Sequence, residues 1–399
     1  MEANAWWLLA IPLFFGLGWL ASRLDSAQLF TQTRQLPESY FKGLNFLLNE
    51  QYEQAIASFE EVARLDPATA ELYFALGNLF RKRGETERAI RIHRNLLERA
   101  DLPETQRQQA LFCLAQDYLN AGIFDRAESA FSALAHSDYA PLAQRELAKL
   151  YEKESNWDAA IACLQRYLAS AAPQHASTIE AQEDLSHYAC ELASVHLEHK
   201  DYSAASAAVA LAEHAHPKNP RSYFVKAALL LSQGYTSPAL ELIEPLLLTQ
   251  PALNTLAIHT FISAAVNPEV LAALKRWAAA APSADSIKPL LPLLQEQGDT
   301  PSMIALLSAL ANPSNPSNPS KQHTPQRLAT ASVLLASAQQ ADFLTQASEW
   351  QAQAIHTVDA LSSRYDRPTC THCGFKASRH QWRCPGCARW NTLPYSGTA

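Results

Sequence analysis

Two stretches of this chain lie 34 residues apart and carry the same landmarks, which limits the fold more than any other feature of its 399 residues. Residues 72–100 read LYFALGNLFRKRGETERAIRIHRNLLERA. Leu76, Gly77, Phe80, Ala89, His93 and Leu96 fall where two antiparallel helices must touch. Between those helices Arg83-Gly84-Glu85 supplies a turn, with Gly84 placed to take the left-handed conformation that ends the first helix. Upstream, Gly43 stands for Gly77, Phe46 for Phe80, Ala55 for Ala89 and Phe59 for His93, and Asp66-Pro67 closes the unit. One such hairpin cannot bury its own apolar stripe, so a chain built from them gains stability by stacking neighbours.

A period of 34 residues with small residues at the helix crossing and proline at the exit is the tetratricopeptide signature. The spacing predicts a third unit through Ala115, Tyr118, Ala127 and Phe131, shifted by four extra residues near Leu102 to Thr105. A fourth follows through Ala148, Tyr151, Ala160 and Leu164. The fifth, through Ala193, His196, Ala205 and Val209, comes after an insertion of about a dozen residues near 171–181. The sixth runs through Ala227, Leu230, Ala239 and Ile243 and closes at Pro251. Residues 39–251 are therefore read as about six repeats, and 252–361 as degenerate helical repeats and a cap. Leu274, Trp277 and Pro282 mark a seventh unit there, and 290–310 an eighth. The run NPSNPSNPS at 312–320 can neither form helix nor pack, and reads as an exposed loop. With only 11 Gly and 48% apolar residues rich in Ala and Leu, the expected class is all-α, a helical solenoid.

Residues 5–21, AWWLLAIPLFFGLGWLA, hold no charge and would make about 26 Å of helix, just enough to span a bilayer. Only Glu2 precedes the run and Arg23 follows it, unlike the basic start of a secretory signal, so residues 1–22 read as a retained transmembrane anchor. Trp6, Trp7 and Trp19 stand near its two ends as interfacial aromatics do, and Arg23, Arg34 and Lys42 place the bulk of the chain on the cytoplasmic side.

The strongest chemical motif is Cys370-x2-Cys373-x10-Cys384-x2-Cys387, within residues 366–393. Two residues between cysteines let one tight turn aim both thiolates at one ion, and Gly374 helps the first turn close. Two such knuckles predict four sulfurs around one structural metal ion, a small C-terminal rubredoxin-like zinc ribbon. Zinc suits a four-sulfur site without redox change; iron in the same cage stays open. With four protein ligands no position is left for a catalytic water. Cys113, Cys163 and Cys190 sit singly on helices and read as core residues. His187, His196, His199, His214 and His216 scatter over two helices and their exit turn, so packed or solvated side chains are expected. No nucleophile elbow, phosphate loop, HExxH or dinucleotide fingerprint is present, and an enzyme is not expected.

Four stretches together resemble the lipopolysaccharide assembly protein B family: Gly43-Leu-Asn-Phe-Leu-Leu48, residues 77–93, residues 117–128, and residues 370–390 with CGF and CPxCxxW. The resemblance implies a membrane-anchored regulatory scaffold of the bacterial inner membrane, single-pass, with no turnover of its own. It implies control of lipid A output by promoting degradation of the committed-step deacetylase by a membrane-anchored AAA+ protease. The expected partners are that protease, the deacetylase, lipopolysaccharide assembly or transport proteins and inner-membrane lipid, with homodimerisation left open. It also implies that the ribbon held by Cys370, Cys373, Cys384 and Cys387 packs back on the repeats.

A nucleic-acid binder is the alternative from another class. Arg367, Lys376, Arg379, Arg383 and Arg389 with Phe375, Trp382 and Trp390 have the composition of a phosphate-gripping, base-stacking ribbon. Charge argues against a long track. From Leu361 onward six Lys and Arg oppose one acid, a surplus of five, so the net −7 leaves −12 for residues 1–360.

Overall fold

The computed structural model describes residues 41–58 in part, 70–170, 176–311 except 265, 352–359 in part, and 368–395. The anchor read over residues 1–22, Phe59, Asp66-Pro67 and the 312–320 loop lie outside these. Among the described residues no helix is long and apolar enough to cross a membrane.

The chain divides into two units, Met1–Glu146 and Leu147–Ala399. In the first, α1 (Ala70–Lys82) and α2 (Thr86–Leu97) form one hairpin, and α3 (Glu104–Asn120) and α4 (Phe124–Ser132) the next. Helix α1 touches both α2 and α3, the neighbour-and-next-neighbour contact of stacked hairpins. Leu72, Leu76, Leu79, Phe80 and Ala89 close one core layer with Ala55 and Ile56. Ala70, Phe74, Leu96, Leu102, Ala110 and Cys113 close the next. Leu102, in the connection that precedes α3, is thus a core residue as well.

The second unit begins in α5 (Ala140–Lys153) and continues with α6 (Trp157–Ser170), α7 (Ala176–Glu198), α8 (Tyr202–Ala215), α9 (Pro220–Ser232) and α10 (Thr236–Thr249). After a 3-10 turn, Pro251–Leu253, come α11 (Asn254–Ile262), α12 (Pro268–Ala280), α13 (Ala284–Ile287), α14 (Leu291–Glu296) and α15 (Thr300–Ala311). The insertion expected near 171–181 is in part helix. Residues 176–181 are the first turns of α7, with Thr178 and Ala181 buried, which makes it 23 residues long. Leu274 and Trp277 are buried on α12, and the described part of 352–359 is helical, with Ala354 and Val358 fully buried in the same core.

The crossing positions explain why the period is visible. Ala89, Ala115, Ala127, Ala148, Ala160, Ala193, Ala205, Ala227 and Ala239 are all fully buried, because only a small side chain lets two helices approach at those points. The turns repeat as well. The N–H groups of Glu85, Ile123, Asn156, Asp201, Tyr235 and Asp299 each donate to a carbonyl five residues back, those of Phe80, Tyr118, Tyr151, His196, Leu230 and Leu294. Each bond closes a Schellman cap, whose penultimate residue must be left-handed. Glycine fills that place in four hairpins, at Gly84, Gly122, Gly234 and Gly298, while Ser155 and Lys200 take it at φ 58° and 59°.

Candidate metal centre

The ribbon is two tight turns of the same design. Thr369 bridges Lys376 across the first, and Arg383 bridges Trp390 across the second, both antiparallel. In the first, the Cys370 N–H donates to the Phe375 carbonyl at 2.8 Å and the Gly374 N–H to the Cys370 carbonyl at 3.0 Å. In the second, Cys384 and Ala388 repeat the pattern, at 2.9 Å to Arg389 and 2.8 Å to Cys384. Gly374 and Ala388 both hold positive φ, 75° and 57°, so the second knuckle makes its turn without a glycine. Gly386 serves differently: a Cβ there would lie 3.0 Å from the Phe375 Cβ, so a side chain would push the knuckles apart.

These turns bring Cys370, Cys373, Cys384 and Cys387 together, with all four sulfurs within 4.8 Å of one another. Cys370 Sγ lies 3.8 Å from Cys387 Sγ, and Cys373 Sγ 3.7 Å from Cys384 Sγ. A tetrahedron of ~2.3 Å metal–sulfur bonds has edges of about 3.8 Å, so the donor set fits one tetrahedral ion. Charge points the same way. Desolvation opposes the Cys370 thiolate, yet hydrogen bonds from Thr392 and from the Cys373 and His372 N–H groups bring that thiol down to about 5. At Cys373 the Phe375 N–H favours ionisation, but desolvation and the three neighbouring sulfurs push it up to about 12. Four thiols this close resist joint ionisation until a cation joins them. The cluster therefore suggests a metal site.

Within the second unit the ribbon lies against the repeats. The Trp390 indole stacks on the His187 imidazole of α7, and the Tyr188 ring meets its edge at 6.3 Å. Arg221 of α9, 5% exposed, holds its guanidinium 5.2 Å from the Trp390 ring centre while pairing with Glu191 at 2.9 Å. Asn391 Nδ2 donates to His187 Nε2 at 3.0 Å. Arg383 Nε sits 3.0 Å from Glu152 Oε1, an ion pair without hydrogen-bond alignment, and the Tyr188 hydroxyl donates to the other Glu152 oxygen at 2.9 Å. Further along, Trp382 packs on Phe224 of α9 and on His380 and Tyr395 of the ribbon. Burial, then the charges of Arg221 and His216, lowers His187 to about 3. Burial also raises Glu152, against the pull of Arg383 and Tyr188.

Cys113, Cys163 and Cys190 are buried in the helices, as core residues should be. Of the five clustered histidines only His187 is buried, and none joins a metal-ligating group among the described residues. Two of the three aromatics that a nucleic-acid reading needs, Trp382 and Trp390, face the repeats, as does Arg383; Phe375 stays 40% exposed. Arg367 lies outside the described residues. Glu152 and Tyr188 form part of the dock without any motif that announces them.

A profile described as a rubredoxin metal binding domain matches residues 369–394, and three tetratricopeptide profiles match 43–84, 72–108 and 114–176. Lipopolysaccharide assembly protein B of Escherichia coli K12 is 26% identical over 393 residues, which covers 96% of each chain. Along almost its whole length the chain is similar to lipopolysaccharide assembly protein B. The family's Haemophilus influenzae member is 31% identical over 176 residues, 42% of this chain and 44% of that one. Among solved structures, the C-terminal part of a tetratricopeptide protein from Cytophaga hutchinsonii is similar at 12% identity, with a TM-score of 0.44, covering 72% of this chain and 99% of that one. The chain thus joins tetratricopeptide repeats to a C-terminal zinc ribbon.

Proposed function

We propose that this chain is a non-enzymatic adaptor in lipopolysaccharide assembly, anchored in the inner membrane by residues 1–22 with its bulk in the cytoplasm. It promotes proteolysis of the committed-step lipid A deacetylase by a membrane-anchored AAA+ protease. The observation that carries the reading is the alignment with lipopolysaccharide assembly protein B over 96% of both chains. The chemistry agrees with a scaffold. Cys370, Cys373, Cys384 and Cys387 hold one structural Zn2+, and four thiolates leave it no open position for substrate or water. The repeats at 39–251, the degenerate repeats and cap at 252–361 and the ribbon at 366–393 present the protein-binding surface. An anchor confines that surface to the plane of the protease, which raises effective concentration without any new contact.

Depletion tests the reading directly. Deacetylase abundance rises if it is right, and unchanged abundance refutes it. Removing residues 1–22 leaves a folded chain that regulates weakly; full regulation by that truncation would show the anchor is dispensable. Purified protein is colourless with one zinc per chain, and an iron-coloured product would overturn the choice of metal.

A further inference from the structure

The four cysteines of the ribbon are not equally covered. Cys370 is 3% exposed and Cys384 1%, and Cys387 is half-buried, whereas Cys373 is exposed. Residues 371–376 are exposed throughout, so Cys373 sits in a turn that faces solvent. The second knuckle is flanked instead by Arg383, Trp390 and Asn391, which hold it on α5 and α7. Cys113, Cys163 and Cys190, buried in the helices, offer no competing thiol.

A thiol that ligates a metal is deprotonated, and the thiolate is the form that peroxides oxidise. Susceptibility then follows access and the presence of a second sulfur to resolve the product. Cys373 has both. Cys384 Sγ lies 3.7 Å from its own sulfur, across the two knuckles, while Cys370 and Cys387 form the other close pair at 3.8 Å.

We propose that Cys373 is a peroxide-reactive site with Cys384 as its resolving partner, so that oxidation closes a disulfide between them and ejects the ion. The Cys373 thiolate attacks one peroxide oxygen, the O–O bond breaks, hydroxide leaves and the sulfur becomes a sulfenic acid. The Cys384 thiolate then attacks that sulfur, the S–S bond forms, the S–O bond breaks and a second hydroxide leaves. Two thiolates have given two electrons to one peroxide. Cys370 and Cys387 alone are too few ligands to keep a tetrahedral ion. A dithiol reductant reverses the change. Arg383 adjoins Cys384, which puts this reaction beside the contacts that hold the ribbon on the repeats. The proposal goes beyond the adaptor reading and rests only on the zinc assignment, which metal analysis before oxidation tests separately.

The zinc-loaded full chain in detergent is treated with a small excess of hydrogen peroxide and quenched with catalase. A chromogenic chelator reads released zinc, and peptide mass spectrometry maps the sulfurs. Zinc is lost together with formation of the Cys373–Cys384 disulfide, and dithiothreitol with added zinc restores both. Early in the reaction dimedone, which traps sulfenic acids, labels Cys373. Cys373→His keeps a fourth ligand of a kind zinc accepts, and peroxide no longer releases its zinc. If that variant arrives without zinc, the dimedone and disulfide maps of the native chain decide. Zinc retained under peroxide, first labelling at another cysteine, or a disulfide joining Cys370 to Cys373 or to Cys387 overturns the proposal.

Discussion

Trp390 and His187, 203 positions apart in the chain, stack with ring centres 4.6 Å apart and planes within 3° of parallel. This contact joins the ribbon to α7, and the Arg221 guanidinium near the indole adds a cation–π contribution. Trp390→Ala removes both while leaving the four sulfurs in place. A half-buried tryptophan in such a setting is worth about 2 kcal/mol, below the ~3–5 kcal/mol of a fully buried one. The ribbon amides should lose hydrogen-exchange protection while metal content stays the same; unaltered protection would show that the dock is held elsewhere.

Acid should loosen the same contact. His187 is held neutral, with its pKa lowered to about 3. Above the unfolded value of ~6.5 it is neutral in both states, and its contribution is fully present. As pH falls from there toward 3, only the unfolded chain takes the proton, and each unit costs about 1.4 kcal/mol. Unfolding free energies from urea titrations at pH 6.5 and 5 should therefore differ by about 1.6 kcal/mol more in the native chain than in His187→Phe. Glu152, whose pKa is raised, works in the opposite direction and offsets part of the slope. Identical pH slopes in the two chains would dismiss His187 as the source.

Removing a sulfur tests the metal centre. Cys384 is 1% exposed and lies 3.7 Å from Cys373 across the cluster. Cys384→Ser should lower bound metal from one ion per chain to none by elemental analysis, and release the second knuckle with it. One ion retained per chain would refute the four-sulfur assignment.

In the first unit Asp117 is wholly buried and joins three helices, accepting from Arg81 Nη1 at 2.8 Å and lying 2.5 Å from His93 Nδ1. Asp117→Ala strands a largely buried guanidinium, which costs about 3–5 kcal/mol. Gly77→Ala should destabilise the same hairpin, because its Cβ would fall 2.4 Å from the His93 ring. Thermal unfolding of the full chain reads both, and a loss below 1 kcal/mol for Asp117→Ala would show that the network is dispensable.

Lys200 holds the left-handed place that glycine takes in four other hairpins. Lys200→Gly should stabilise the α7–α8 hairpin by up to about 1 kcal/mol, since the strain relieved is ~1–2 kcal/mol and the added backbone freedom returns part of it. A lower melting temperature would contradict this.

The hairpins were legible because their demands are local. Ala at each crossing and a left-handed residue before each Schellman bond leave marks at fixed spacing, and the two knuckles do the same. Where geometry tolerated a substitute the marks faded: Ser155, Lys200 and Ala388 occupy places for which sequence offers only glycine as a cue. The dock left no local trace. His187, Tyr188 and Glu152 sit on repeat helices as any buried residue would, and only the fold brings Trp390 and Arg383 to them. The aromatic and basic composition of the ribbon suggested a surface for bases and phosphates, although two of its tryptophans are spent on its own repeats.

Repeat arrays commonly lengthen or shorten by whole units during evolution, since each hairpin meets only its neighbours. Here Trp390 reaches α7 while Trp382 reaches α9. A duplicated or deleted hairpin between those helices would pull the clasp off one of its seats, so the ribbon acts as a ruler that fixes the unit count in this part of the chain.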